Sequence, residues 1–294
     1  MVALLGGVEI GGTKCSALVA HGRDIVDRID LPTTDPAATL GALAGWLAQH
    51  DIAALGIASF GPLGLDPARA DYGCITTTPK PGWAGCDLLA AFAALAVPTA
   101  IDTDVAGAAL AEGRWGAAQG CAVHVYLTIG TGIGGGVVVD GRAVHGRIHP
   151  EIGHARVRRQ PGDSFAGICP YHGDCLEGLA SGPAIAARTG TAAHLLPSDH
   201  PVWPAVAAEI AELCALLVLT LSPQRISIGG GVGLGQPQLL APIRAHVAGL
   251  LGGYVDGFDP AALIGPPGLG DLAGPLGAIA LAELAYSRKR TPTE

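Results

Sequence analysis

The sequence predicts an α/β fold built by duplication, and three observations carry that expectation. The chain opens with a strand, a glycine turn and a second strand: VALLGGVEI, then GGTK, then CSALVA. Residues 122–139 repeat the theme as AVHVYLTI, GTGIGG and GVVVD, which implies two related halves whose loops face each other across a cleft. Elsewhere short apolar runs bounded by turn residues alternate with Ala/Leu-rich helical segments, as α/β chains do.

At 294 residues the chain can bury one large core or two smaller ones. The expected division is a smaller N-terminal α/β domain over 1–113 and a larger α/β domain over 114–274. A closing helix over 275–290 is expected to pack back on the first. A formal charge of −8 offers no basic surface for nucleic acid; a dispersed acidic surface mainly promotes solubility. The most apolar helix, near 204–222, carries Glu209 and Glu212 and reads as a core helix, so no membrane association is expected. Glu9 interrupts the first apolar run with no basic segment before it, unlike a secretory signal. Seven scattered cysteines, an odd number, argue for a reducing compartment. A cytoplasmic location is expected. Cys15, Cys74, Cys86, Cys121 and Cys214 read as small hydrophobes.

In chain order, Gly11 and Gly12 let backbone approach a ligand closely, while Thr13 and Lys14 add a hydroxyl and a cation. The segment reads either as a phosphate-binding hairpin or as an ordinary glycine turn, and not as a P-loop, whose spacing is absent. A strand over 24–31 follows. Asp35 and Pro36 then signal the start of a helix reaching about residue 50. Residues 53–59 form a buried strand ending in Ser59-Phe60-Gly61-Pro62, a loop able to hold a small polar ligand. ITTTPKPGW (75–83) is a proline-rigid polar loop, and 87–96 is helical. A strand over 99–101 delivers Asp102-Thr103-Asp104 to a helix over 105–113. Asp104 either caps that helix or, with Asp102 or Thr103 as the cap, is free to accept a proton.

The second glycine loop strengthens the first. Gly130 and Gly132 flank Thr131, and two such loops can grip a polyphosphate through backbone N–H groups. Further on, Ser181-Gly182-Pro183 precedes a short helix. A long helix over 204–221 ends before Pro223, and a strand over 225–228 ends in Gly229-Gly230-Gly231. That third glycine turn either admits a flat ring such as adenine or is a simple tight turn. Helices over 236–251 and 275–286 complete the chain; the tail 288–294 is polar and expected to fray.

One stretch concentrates chemistry. Cys169, His172 and Cys175 follow a C-x2-H-x2-C spacing, with His154 fifteen positions upstream. Structural Zn2+ takes four N/S ligands in a closed tetrahedron, and close-spaced Cys/His pairs supply that geometry. The set predicts a Cys2His2 zinc site, the alternative being two surface thiols and two solvated histidines.

VEIGGTK, IDTDVAGAALAEGRWG, YLTIGTGIGGG, HPEIGH, CPYHGDCLEG and SIGGGV, in this order, resemble the ROK sugar kinases over nearly the whole chain. ITTTPKPGW and the C-x2-H-x2-C knuckle look most like the bacterial ROK fructokinases. The resemblance implies an actin/hexokinase-like fold, with two ribonuclease-H-like domains around an ATP cleft and a zinc knuckle. It implies Asp104 as the base that takes the proton of the sugar hydroxyl. It places a hexose, fructose favoured, near Ser59, Gly61, Pro62, Thr103, Glu151, His154 and Glu177. Gly11, Gly12, Thr13 and Lys14, with Thr128, Gly130, Thr131 and Gly132, become the phosphate loops; Gly229, Gly230 and Gly231 become the adenosine pocket. ATP with Mg2+, a structural Zn2+ on His154, Cys169, His172 and Cys175, and a homodimer are the expected partners. His154 would hold zinc on one ring nitrogen and the sugar on the other.

The sequence departs from the family pattern at two places. Thr103 stands where many members have Asn, and His172 replaces a thiolate, leaving the zinc site less negative. Competing readings are a kinase for glucose, mannose or an N-acetylhexosamine, and a sugar-sensing regulator. The regulators carry an N-terminal helix-turn-helix; here the first hairpin begins within ten residues of Met1, and the intact Asp104 and glycine loops favour catalysis.

Overall fold

In the computed structural model, which describes residues 3–290, the chain divides into two compact units. The first comprises Met1–Gly116, Gly141–Pro150 and Leu272–Glu294; the second comprises Ala117–Asp140 and Glu151–Asp271. The units are nearly equal in length rather than smaller and larger, and segment 141–150 returns to the first unit.

β1 (Leu5–Ile10), β2 (Lys14–His21) and β3 (Asp24–Pro32) form an antiparallel meander. Helix α1 (Pro36–Leu47) starts at Asp35, whose carboxylate accepts the Ala38 N–H at 3.0 Å, with Pro36 in the first turn. It stops three residues short of the expected end. After β4 (Leu55–Ser59) comes α2 (Leu88–Phe92), capped by Asp87 and continued only by a 3-10 turn, Ala93–Leu95. β5 (Thr99–Thr103) then runs into α3 (Asp104–Trp115).

β6 (Val123–Ile129) and β7 (Ile133–Val139) form the second hairpin, followed by the two-residue β8 (Arg142–Ala143). Short helices α4 (Leu176–Ala180) and α5 (Gly182–Thr189) lead to α6 (Trp203–Leu221) and β9 (Arg225–Gly229). The expected glycine turn after β9 is instead a short helix, α7 (Gly230–Gly235). A 3-10 turn at Pro237–Leu239 delays α8 (Leu240–Leu251). α9 (Pro260–Leu263), β10 (Ile264–Gly265) and α10 (Ala273–Arg290) finish the described chain.

The duplication expected from the two hairpins is written in the topology. The first sheet has the order β3-β2-β1-β4-β5 and the second β8-β7-β6-β9-β10. In each, the second hairpin strand pairs antiparallel with the first, and the first then pairs parallel with the next inner strand.

Each unit has its own core. Val8, Ile10, Leu43, Leu47, Leu55, Ile57 and Trp83 anchor the first, and Leu127, Ile129, Leu176, Ile210, Cys214 and Ile228 the second. Burying each large aliphatic side chain contributes about 1.5–3 kcal/mol. α6 is long and apolar enough to cross a membrane by length and composition alone, yet 61% of that window is buried inside the fold, and its apolar face is part of the second core. α10 lies directly on β4. A Cβ at Gly56 would collide with the backbone of Ala278 and Ala282, and one at Gly277 with the backbone of Gly107 in α3. Glycine at 56 and 277 is what permits that close packing.

Candidate functional site

The parallel strands of the first sheet align their carboxyl ends. Ile10 of β1 is paired with Ser59 of β4, and Ser59 with Thr103 of β5. The residues that follow, Gly11, Phe60 and Asp104, therefore leave the sheet side by side. In open α/β sheets ligands bind at this edge. The register brings together three segments that the sequence could only single out separately: the first glycine hairpin, the Ser59–Pro62 loop and Asp104.

The hairpin is tight. The Gly11 N–H donates to the Lys14 carbonyl at 3.0 Å, and Thr33 braces the Gly11 carbonyl with its hydroxyl at 2.7 Å. Gly12, Thr13 and Lys14 are exposed, and among the described residues the Gly12 and Thr13 amides have no protein acceptor. Lys14 leans toward β3, with Nζ 3.7 Å from Asp30 Oδ1. The nearer cation is Lys80, whose Nζ donates to the Gly12 carbonyl at 2.5 Å.

Thr103, not Asp104, caps α3: its Oγ1 accepts the Ala106 N–H at 3.2 Å. Of the two roles open to Asp104, capping is thereby taken. Among the described residues its carboxylate accepts local backbone donors, such as Val105 N at 2.9 Å. Loss of hydration raises its pKa to about 6, partly offset by those N–H groups. On β1, Glu9 is raised to about 7, first by burial and then by the charge of Asp104. Asp102 is buried, and its Oδ1 accepts the Thr103 N–H at 2.7 Å and faces His145 Nε2 at 3.0 Å.

Ser59 is fully buried and donates to the Phe60 carbonyl at 2.9 Å. The Gly61–Pro62 peptide is cis. Buried His149 holds this loop, its Nε2 accepting the Leu63 N–H at 3.0 Å.

In the second unit, Thr128 of β6 is paired with Gly229 of β9, so the second and third glycine segments are neighbours. Gly230 adopts φ +81°, and a Cβ there would come within 2.6 Å of Thr128 Oγ1 and of the Ile129 carbonyl. Only glycine fits that conformation and that approach. The Gly130 carbonyl is held by the Gly182 N–H at 2.7 Å, just past the Ser181 cap of α5. Thr131 is exposed at the tip and Gly132 half-buried.

His154, Cys169, His172 and Cys175 converge, their ligand atoms all within 4.8 Å of one another. His154 Nδ1 lies 3.5 Å from Cys175 Sγ and 3.7 Å from Cys169 Sγ; His172 Nδ1 lies 3.6 Å from Cys169 Sγ. Usual Zn–S and Zn–N bond lengths give a tetrahedral S···N edge of about 3.6 Å, so the donor set fits zinc. Mutual backbone bonds between Cys169 and Gly173 close the knuckle.

Glu177 joins this cluster to the glycine loop. One carboxylate oxygen accepts the Ile133 N–H at 3.0 Å, beside Gly132, while the other lies 3.9 Å from His154 Nε2. With Nδ1 turned to the thiols, Nε2 remains for a polar partner. Glu151 begins the 3-10 turn Ile152–His154 that carries His154.

The sequence reading missed Glu9, Lys80, His145 and His149. Glu9 precedes the glycine hairpin by one residue, and His149 opens the HPEIGH motif, so both lay beside recognised signals. Lys80 and His145 reach their partners only through tertiary packing.

The ROK family model matches residues 5–285. A fructokinase of Pediococcus pentosaceus is 43% identical over 285 residues, covering 96% of this chain and 98% of that one. A fructokinase of Zymomonas mobilis is 44% identical over 296 residues, covering 97% and 98%. Among solved structures, a ROK family glucokinase from Streptomyces griseus in complex with glucose and AMPPNP aligns with a TM-score of 0.77 at 27% identity, covering 96% of this chain and 99% of that one. The duplicated sheets thus have the actin/hexokinase-like architecture of these kinases. In motif order, topology and near full-length similarity, the chain belongs to the ROK family.

Proposed function

We propose that the protein transfers the γ-phosphoryl group of ATP to fructose, giving fructose 6-phosphate and ADP. The observation that carries this reading is the alignment of Asp104, the first glycine hairpin and the Ser59–Pro62 loop along one sheet edge. Fructokinases at 43–44% identity over nearly the whole chain favour fructose among hexoses.

In the proposed reaction the Asp104 carboxylate takes the proton of the sugar 6-hydroxyl. The oxygen bonds to the γ-phosphorus, and the bond from that phosphorus to the β–γ bridging oxygen breaks, its electron pair leaving with ADP. A base with a pKa near 6 is ionised at neutral pH yet remains an effective acceptor. Phosphoryl transfer needs positioning and charge neutralisation more than covalent help. The amides of Gly12 and Thr13, which have no protein acceptor among the described residues, and the loop Gly130–Gly132 supply donors for the phosphates. Thr128 and Gly229–Gly231 are assigned to the adenosine end. Lys14, expected on the phosphates, pairs with Asp30 and is assigned at most a supporting charge.

Ser59, Gly61, Pro62 and Thr103 in the first unit and Glu151, His154 and Glu177 in the second are assigned to the sugar. Zn2+ on His154, Cys169, His172 and Cys175 would stiffen the knuckle and fix the His154 ring through Nδ1, leaving Nε2 for a hydroxyl. Mg2+ would be held by the ATP phosphates with Glu9, the carboxylate beside Asp104, and would neutralise phosphate charge. A soluble, homodimeric protein is part of the same reading. Incubation with ATP, Mg2+ and fructose, followed by 31P spectroscopy of the product, tests it: a 6-phosphate ester is expected, whereas a 1-phosphate ester or unchanged sugar contradicts it.

A further inference from the structure

We propose that Lys80 is a catalytic residue whose ammonium contacts the phosphoryl group in flight; this rests on the kinase reading above. The cation expected at the hairpin was Lys14, but its Nζ is directed to Asp30 at 3.7 Å, out on β3. Lys80 stands in the place it leaves. Its Nζ lies 2.5 Å from the carbonyl of Gly12, the residue at the tip of the hairpin. Among the described residues no carboxylate pairs with Lys80, and Gly12 is the partner it has. A neutral carbonyl is a weaker partner for an ammonium than a phosphate oxygen, so a phosphoryl group arriving at the hairpin displaces it readily.

The surroundings favour an anion. The Gly12 and Thr13 amides beside Lys80 have no protein acceptor among the described residues, so two backbone donors and one uncompensated positive charge meet at one hairpin tip. Successive unpaired amides at a turn with a nearby cation form an anion-binding concavity.

The loop that carries Lys80 is built to hold it there. Pro79 and Pro81 flank it and restrict the backbone on both sides. The Lys80 N–H donates to Thr78 Oγ1 at 3.2 Å, and the Lys80 carbonyl accepts the Trp83 N–H at 3.3 Å. Trp83 is fully buried and its indole N–H donates to the Thr34 carbonyl at 3.0 Å. The TPKPGW stretch therefore presents the ammonium on an anchored backbone.

During transfer the γ-phosphorus passes from the bridging oxygen of ATP to the sugar oxygen, and negative charge spreads over its equatorial oxygens. A cation that meets those oxygens, and not the adenosine or the α-phosphate, lowers the barrier without tightening ADP. Lys80→Met keeps most of the side-chain length and removes the charge, while Lys80→Arg restores charge with different geometry. The expected result is a kcat for Lys80→Met lower by about 10²-fold, partial recovery in Lys80→Arg, an unchanged ADP Kd by calorimetry and an unchanged thermal midpoint.

Turnover by Lys80→Met within about twofold of wild type would overturn the assignment. Equal weakening of ADP and ATP binding with kcat preserved would do so too, because it places the charge on the nucleotide rather than on the transferring group. A wild-type protein silent with every hexose overturns the kinase reading itself and this assignment with it, an outcome distinct from an active wild type indifferent to Lys80.

Discussion

Asp102 Oδ1 receives the Thr103 amide at 2.7 Å and faces His145 Nε2 at 3.0 Å. One oxygen thus ties the end of β5 to a histidine from segment 141–150, one residue before the cap of α3 and two before Asp104. The hydrogen bond and charge of Asp102 raise the pKa of His145 above its ordinary value. The sign follows: this contribution to stability is fully present below the unfolded histidine pKa and is lost as pH rises through the higher folded value. Because the His145 side chain is 36% exposed, solvent screens the pair and it contributes less than about 1 kcal/mol. His145→Gln should unfold slightly earlier than wild type at pH 6, with the gap closing by pH 9; thermal denaturation across that range checks it.

Asp104→Asn should keep ATP binding and lower kcat by about 10²–10⁴-fold, the usual span for removing a general base. In the wild type, kcat/KM should fall as pH drops through about 6, where Asp104 gains its proton. Near-normal turnover in the variant would remove Asp104 from the reaction.

Glu9 also loses stability as pH rises, but because burial penalises its charge rather than because a partner favours it. Its folded pKa, about 7, lies above the ordinary 4.5 because burial disfavours its charge. Stability from this group is therefore greatest below about pH 4.5 and falls as pH rises through 7. Glu9→Gln should be more stable than wild type at pH 8, by roughly 1–3 kcal/mol, and show no such gain at pH 4.5. If Glu9 holds Mg2+-ATP, the same variant should need more Mg2+ for half-maximal rate.

Purified protein should contain one zinc per chain by elemental analysis. Cys175 is fully buried and belongs to the donor set, so Cys175→Ser should lose the metal and unfold several degrees earlier. Strong chelators should do the same to the wild type, as binding of a structural metal contributes directly to folding. Metal-free protein with an unchanged midpoint would contradict the site.

Local sequence signals were enough for the two hairpins, the Asp35 cap and the Cys/His cluster, because each depends largely on residues close in the chain. The duplication was legible for the same reason: each half announces itself with a glycine-broken strand pair. The segment after β9 departs from the expected turn. Three glycines signal a turn by propensity, yet Gly230 takes the left-handed conformation against Thr128, and the chain then enters α7 at once. α1 and α2 stop short of their expected ends, which lie too far along because helix-forming alanine continues past each of them, at Ala48 and at Ala93. Lys80, His145 and His149 were hidden because their partners lie 68, 43 and 86 residues away, and no periodicity encodes such pairings.

The measurement that tests the central claim most directly is ADP release from ATP and Mg2+, coupled to a spectroscopic readout, with fructose, glucose, mannose and N-acetylated hexosamines compared by kcat/KM. The account predicts turnover strongly favouring fructose. Preference for another hexose would contradict the substrate assignment, and silence with every sugar, in folded zinc-replete protein, would contradict catalysis itself.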